Sequence, residues 1–353
     1  MQVRTKFSLA AVATAIATGA ALLTTTRAAR RTVQHLRSTS YSFINKTIVV
    51  TGSSRGLGLV LARQLVQRGA KVALLARDPD ELDRALQQFT AASDRVLAIP
   101  CDVTNESEVQ RATEKARRIL GPIDVLINNA GRIAVGPMDT MTEAEYRESL
   151  DLHFWAPFFT TMAVLPEMRK RREGRIVNIS SIGGKISVPH LLPYSVGKFA
   201  LAGFSEGLRP ELLRDNVFVT SVYPGLMRTG SPRNAEFKGK HRAEYSWFSI
   251  SDANPLLSVS AERAAREILN ACARGQAALT ISLPAKAAIR IKELFPNSTA
   301  AFISLANQTL PDAGGIGQRR VRGRESFTPA SPSWITWLDT LAARRNNQIA
   351  EWS

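Results

Sequence analysis

From Lys46 onward the chain alternates short apolar runs with longer stretches of helical periodicity, and this alternation constrains the fold more than any other feature. "KTIVV" leads into "TGSSRGLG" and then into the helical "LVLARQLVQRGA". "KVALLA", "RVLAIPCDV", "IDVLINNAG", "GRIVNISS", "VFVTSVYPG" and "AALTISL" read as the later strands. Helices are expected over Asp78–Ala92, Asn105–Leu120, Thr142–Arg171, Tyr194–Arg214 and Ala261–Ala273. Asp78-Pro79 is an N-cap followed by proline at the first helical position. Strands that are apolar throughout are buried on both faces, which requires a parallel sheet covered by helices on either side. Gly225–Pro255 has few periodic signals and is long for a connection, so it is expected to be a lid. Helical patterning returns over Ile289–Leu310, and Gly- and Arg-rich sequence follows Pro311. In the closing "SWITWLDTLAARRNNQIAEWS", Trp334 and Trp337 have the spacing of a short amphipathic helix.

The formal net charge of +16 makes nucleic acid or an anionic membrane conceivable partners. The basic runs "MRKRREGR" (Met168–Arg175) and "QRRVRGR" (Gln318–Arg324) carry no interleaved aromatics, so no nucleic-acid partner is expected. The first run reads as a helix C-terminus with Gly174 as its stop. Only Cys101 and Cys272 occur, which is no disulfide framework and fits a reducing compartment. The four histidines have no HxxxH spacing, and no CxxC is present, which argues against a metal site.

No acid precedes Asp78, and Phe7–Leu23 holds no charge at all. As a helix that stretch spans about 25 Å, the short end for a bilayer. It can be an uncleaved anchor, a cleaved signal or a transit peptide. Arg27, Arg30, Arg31 and Arg37 outweigh Arg4 and Lys6. The anchor reading is therefore preferred, with membrane contact through this segment and the main domain on the cytoplasmic side. An organellar location, or a soluble protein after cleavage, is the alternative.

Gly52, Gly56 and Gly58 lie between the first strand and the first helix, where a tight backbone turn can approach a phosphate. Tyr194 and Lys198 share one helix face at i, i+4. A cation beside a phenol favours the phenolate and suits proton exchange near neutral pH.

Thr51-Gly52-x-x-x-Gly56-x-Gly58, Asn128-Asn129-Ala130-Gly131, Ser181, Tyr194-x-x-x-Lys198, Pro224-Gly225 and Thr229 resemble, in order and spacing, the short-chain dehydrogenase/reductase family. The resemblance covers Lys46–Leu283, about two thirds of the chain. It implies an α/β, Rossmann-type doubly wound sheet of seven parallel strands in the order 3-2-1-4-5-6-7. Residues 1–44 would be an anchor or targeting segment, 45–284 the catalytic domain and 285–353 a C-terminal extension without an assigned role.

By the resemblance, Tyr194 is the acid or base, Lys198 lowers its pKa and holds the ribose, and Ser181 steadies the substrate oxygen. Ser180 competes for that last role, but Ser181 has the family spacing. The cofactor would contact Gly52, Ser54, Arg55, Gly56, Leu57, Arg77, Asp102, Val103, Asn129, Ala130, Gly131, Tyr194, Lys198, Pro224, Gly225 and Thr229. Asn128 would support the fourth strand, and Asn129 and Gly131 can equally be read as shaping their loop. Ala76 stands where a family acid would bind the ribose 2′-hydroxyl, and Arg77 and Arg55 lie close by. NADP(H) is therefore expected over NAD(H), with Asp78 as the counter-argument. His153 occupies the place of an asparagine that often completes the family's proton relay, so a relay with added pH dependence is one reading and a core histidine the other.

The expected activity is an NADPH-dependent carbonyl reductase or alcohol dehydrogenase. Its substrate would be a small apolar ketone, aldehyde or alcohol of steroid, retinoid or acyl type. The support is a lid carrying Trp247, Phe248, Ile250, Leu256 and Leu257, which can also be read as lid packing. A non-catalytic NADP(H) sensor or scaffold is the alternative, and a homo-oligomer is expected by resemblance.

Overall fold

The computed structural model describes residues 41–328 and 336–349, and residues from Ser42 onward form one compact unit. The apolar stretch Phe7–Leu23 and Trp334 lie outside the described residues. Among the described residues no helix is long and apolar enough to cross a membrane.

Seven parallel strands form the central sheet: β1 (Thr47–Thr51), β2 (Lys71–Ala76), β3 (Val96–Pro100), β4 (Ile123–Asn128), β5 (Gly174–Ile179), β6 (Val217–Pro224) and β7 (Ala278–Ile281). Their order is β3-β2-β1-β4-β5-β6-β7, as expected. β1, β4 and β6 are buried along their full length, as an apolar run in a sheet covered on both faces must be.

The helices in chain order are α1 (Gly56–Gln67), α2 (Pro79–Leu86), α3 (Glu106–Leu120), α4 (Glu143–Leu150), α5 (Ala156–Arg171), α6 (Leu192–Leu213), α7 (His241–Ala253), α8 (Ala261–Ala273), α9 (Leu283–Leu294), α10 (Pro296–Asn307) and α11 (Trp337–Arg345). α1 packs against α8 on one face of the sheet. Val109, Ala112 and Ala116 of α3 join Val164, Leu165 and Met168 of α5 in the main core cluster.

Local chemistry explains most boundaries. Asp78 caps α2 by accepting from Glu81 N–H at 3.0 Å, as its sequence predicts. That helix stops at Leu86, short of the expected Ala92, and a kinked 3-10 stretch continues to Arg95. The expected helix Thr142–Arg171 contains a π-helical turn at Asp151–Trp155. Pro157 has no N–H to give the carbonyl of His153 four residues back, so the regular ladder cannot continue there. α5 is stopped not by Gly174 but by Arg172, which caps it at φ +53, and Gly174 already belongs to β5. Gly174 is needed for space: a Cβ there would lie 2.6 Å from Met168 Sδ.

The expected lid contains α7, which the sequence hid. Its buried face mixes Tyr245 and Phe248 with Glu244, Ser249 and Asp252, so no apolar stripe marks it. Phe248 is buried in a second cluster with Leu191, Phe237 and Tyr245, whereas Leu256 and Leu257 are exposed. α10 buries no residue and leaves Phe302 and Leu305 exposed. Both cysteines are buried, and burial pushes the Cys101 thiol up to about 12 and Cys272 to about 11.

Candidate active site

The site lies at the carboxyl ends of the strands, where β1 and β4 lead in opposite directions across the sheet. After β1 the chain turns at Gly52, φ +62, where a Cβ would meet the Ala130 Cα at 2.7 Å. At Gly58 a Cβ would lie 2.2 Å from the Gly52 carbonyl oxygen. These two glycines let α1 begin tight against the strand ends, with its first N–H groups uncapped by the Arg55 side chain.

The neighbouring Asn129 is committed to that turn. Its Nδ2 donates to the Thr51 and Gly52 carbonyls, each at 3.0 Å, and its N–H donates to Thr51 Oγ1 at 2.9 Å. Ala130 N–H donates to the same hydroxyl at 3.0 Å. The turn-shaping reading of Asn129 is thus the one its side chain fits. Asn128 donates to Asn178 Oδ1 at 2.8 Å and accepts from Thr160 Oγ1 at 2.6 Å, which ties β4 to β5 and α5.

Tyr194 and Lys198 stand on α6, opposite Ser181 at the end of β5. Ser181 Oγ accepts from Gly183 N–H at 3.0 Å. Ser180 is spent elsewhere, donating to the Lys198 carbonyl at 2.9 Å. Lys198 Nζ donates to the Ile179 carbonyl at 2.9 Å and lies 5.7 Å from the centre of the Tyr194 ring.

The expected electrostatic pairing takes a different form. Burial pulls the Lys198 ammonium down to about 7. Burial also raises the Tyr194 phenol above its ordinary value, and a hydrogen bond with Ser181 offsets part of that rise. The lysine therefore does not lower the phenol here, because desolvation acts on both groups and removes much of the cation's charge near neutral pH.

His153 lies in the π turn, fully buried, with its ring 5.3 Å from that of Tyr194 and at 86° to it. Its Nε2 accepts from Arg132 N–H at 3.3 Å, and Nδ1 lies 3.1 Å from Ser149 Oγ. Ser149 itself donates to the Pro193 carbonyl at 2.6 Å, so the consistent tautomer carries the proton on Nδ1. Burial, then Lys198, depresses the imidazole well below its ordinary pKa. It is neutral at working pH, and the expected extra pH dependence does not arise from its titration.

His153 and Tyr194 line a small pocket with Arg132, Ser149, Leu152 and Glu236. The charges at its rim are paired: Arg132 with Glu148 at 2.6 Å and with Glu236 at 3.2 Å, and Arg320 with Glu148 at 2.7 Å. Beside Tyr194 runs an apolar wall, where Ile133, Val188 and Trp247 pack against the second cluster.

The remaining predicted contacts are scattered around the glycine turn. Ser54 and Arg55 both reach Glu81, at 2.9 and 2.6 Å. Arg77 lies 3.9 Å from Asp102, whose carboxylate accepts from Thr104. Leu57 and Thr229 are buried, Val103 belongs to the main core, and Pro224 closes β6. At Gly225 a Cβ would lie 2.8 Å from Ser282 Oγ, and at Gly131 one would lie 3.3 Å from His153 Nε2. The sequence reading missed Asn178, Glu81 and the C-terminal residues Asn346–Gln348, which contact the turn. The run "RRNNQ" at a helix end was the available signal, since asparagine favours helix termini and turns.

A doubly wound parallel sheet with a glycine turn at its order reversal is the architecture of a dinucleotide-binding α/β protein. The pattern of the short chain dehydrogenase family matches residues 46–238. A "Dehydrogenase/reductase SDR family protein 7-like" of Anopheles gambiae is 32% identical over 259 residues, 71% of this chain and 80% of that protein. A short-chain dehydrogenase from Streptomyces avermitilis superposes with a TM-score of 0.64 at 31% identity, covering 74% of this chain and 96% of that one. L-sorbose reductase from Gluconobacter frateurii, crystallised with NADPH and L-sorbose, gives 0.60 at 26% identity, covering 69% and 97%. The chain belongs to the short-chain dehydrogenase family, whose members are oxidoreductases acting on CH–OH and C=O groups.

Proposed function

We propose that this chain is an NADPH-dependent carbonyl reductase acting on an apolar ketone or aldehyde. The observation that carries the reading is the convergence of Ser181, Tyr194 and Lys198 beside an apolar wall. When bound, the nicotinamide supplies the hydride. Tyr194, whose phenol burial keeps protonated, delivers a proton to the carbonyl oxygen. Ser181 donates to the same oxygen as charge develops on it. Lys198, which burial brings down to about 7, returns a proton to Tyr194 after the transfer. His153, held by Arg132 and Ser149, fixes the floor under Tyr194.

The glycine turn and the first turn of α1 would hold the dinucleotide phosphates, and Arg55 and Arg77 the 2′-phosphate. Each arginine has one acidic partner, and a guanidinium has five N–H donors, so donors remain for a phosphate. The NADPH in the sorbose reductase supports the same choice. A homo-oligomer and membrane contact through Phe7–Leu23, with the domain on the cytoplasmic side, complete the proposal.

The test titrates the full chain, Tyr194→Phe and Arg77→Asp with NADPH and NADH, then adds apolar ketones and aldehydes. Tyr194→Phe should bind NADPH like the parent and lose turnover by on the order of a thousandfold. Arg77→Asp should shift preference toward NADH, and an unchanged ratio would reject the 2′-phosphate assignment. Tight binding without turnover on any carbonyl or alcohol would replace the enzyme reading with a cofactor-sensing one.

A further inference from the structure

The C-terminal residues fold back onto the cofactor cleft. Asn346 O accepts from Gly56 N–H, the first amide of α1, at 2.8 Å. Asn347 Nδ2 donates to the Ser54 and Glu81 carbonyls at 2.8 and 3.1 Å, and its Oδ1 lies 3.4 Å from Arg84 Nε. Arg63 of α1 donates to Asn346 Oδ1 at 2.5 Å. Asn347 sits at φ +55, a left-handed conformation that asparagine accepts more readily than most residues. Gln348 lies against the glycine turn: a Cβ on Gly56 would be 2.8 Å from its Nε2.

The same segment grips the chain that follows β6. Asn234 donates to Gln348 Oε1 at 2.6 Å, and Arg233 to Thr340 Oγ1 at 3.1 Å. Gly230 N–H donates to Asp339 Oδ1 at 2.9 Å, with Ala343 so close that a Cβ on Gly230 would lie 2.4 Å from its Cα. α11 and the three residues after it thus tie the glycine turn to the lid across the pyrophosphate end of the cleft. Ser54, Gly56, Leu57 and Thr229 are all buried beneath this cover.

We propose that residues 337–348 form a strap that closes the cofactor cleft, and that the dinucleotide enters and leaves only when the Asn346–Gln348 latch lifts. The proposal rests on the dinucleotide reading of the cleft. A cofactor that binds only the open state binds more weakly in proportion to the fraction closed, so loosening the latch should tighten apparent affinity.

The strap also carries a built-in weakness. Asp339 of α11 shares its burial with Asp252 of α7, whose Oδ2 has no hydrogen-bond partner among the described residues. Facing this pair are Arg228 of the short strand Leu226–Arg228, Arg233 of the loop beyond it, and the N–H groups of Met227 and Gly230. Burial raises Asp339 to about 6, and burial and then Asp339 raise Asp252. An acid whose pKa is higher when docked is docked most firmly below its free pKa of 3.8, and loses that advantage as pH rises to about 6. At neutral pH the strap is therefore held less firmly than in acid.

The test measures NADPH association with the full chain by energy transfer from tryptophan to the nicotinamide, together with hydrogen exchange at the Gly56 amide. Asn347→Ala should speed association on the order of tenfold, tighten apparent affinity and deprotect the Gly56 amide. Asp339→Asn keeps the acceptor for Gly230 and removes the charge, so it should slow association at pH 7.5, with the difference shrinking as pH falls through about 6 toward 3.8. Parent-like association in both variants, or lost affinity in Asn347→Ala, would overturn the gate and make the segment a support for the turn. If no form binds NADPH or NADH although the Gly56 amide is deprotected, the cofactor reading itself fails and takes the gate with it.

Discussion

Lys198 shows how burial and function pull apart at one side chain. Its ammonium is buried, held by a single carbonyl, and titrates near neutrality. A base whose folded pKa is depressed binds fewer protons than it does unfolded between about 7 and the ordinary 10.5, so the protein gains stability as pH rises through that window. Lys198→Met should therefore raise the melting temperature most at pH 7 and below, with the gain shrinking toward pH 10. A gain that is flat with pH in thermal melts would show that the lysine is not desolvated in the folded protein. The residues of this site were legible because their order and spacing are fixed: Ser181, Tyr194 and Lys198 meet where the sequence implied. Their charge state was not legible, since desolvation depends on neighbours that sequence spacing does not reveal. His153 illustrates the same limit, because its neutrality follows from burial and from the Arg132 N–H and Ser149 hydroxyl around it.

At the scale of elements, a buried ion cluster joins three parts of the chain. Lys238, following the short strand Glu236–Phe237, meets Glu145 of α4 at 2.6 Å, and Arg320 reaches the same carboxylate at 2.8 Å. Burial pushes Glu145 up, but hydrogen bonds from Lys238, Thr142 and Arg320 outweigh it and hold the carboxyl at about 2. This contribution is fully present above the ordinary 4.5 and is lost as pH falls toward 2. Lys238→Met removes one partner of a buried pair and should cost about 3–5 kcal/mol in urea unfolding at pH 7. The loss should shrink as Glu145 protonates, and a loss unchanged at pH 3 would assign it to packing alone. Such clusters explain why some elements were legible and others not. β1 and β4 announce themselves by uninterrupted apolar residues, whereas α7 buries Glu244 and Asp252 and so lacks the stripe that marks a helix. The π turn escaped because its cause, Pro157, is also an acceptable residue for the first turn of a helix.

Over the whole molecule, the π turn, α5 and α6 leave an aromatic surface in which Phe154, Trp155, Phe158 and Phe204 pack on one another. Trp155 is 43% exposed and Phe199 of α6 41%. In the proposed homo-oligomer this surface is covered by a second copy. Sedimentation should find a dimer or larger, and Trp155→Arg should release monomers. A parent that sediments as a monomer at micromolar concentration would reject the proposal. The parallel sheet was readable from the alternation of strands and helices and its order from the family resemblance, but the return of the C-terminal residues to the glycine turn was not, because it joins residues nearly 300 positions apart, as in the Ser54–Asn347 contact. The two buried cysteines have a practical corollary. Both thiols are shielded and far from ionising in the folded chain, so a maleimide should find neither until the protein opens. A cysteine placed at exposed Trp337 would then be the single reactive thiol among the described residues, and a dye attached there would report the motion of α11 without competing labels.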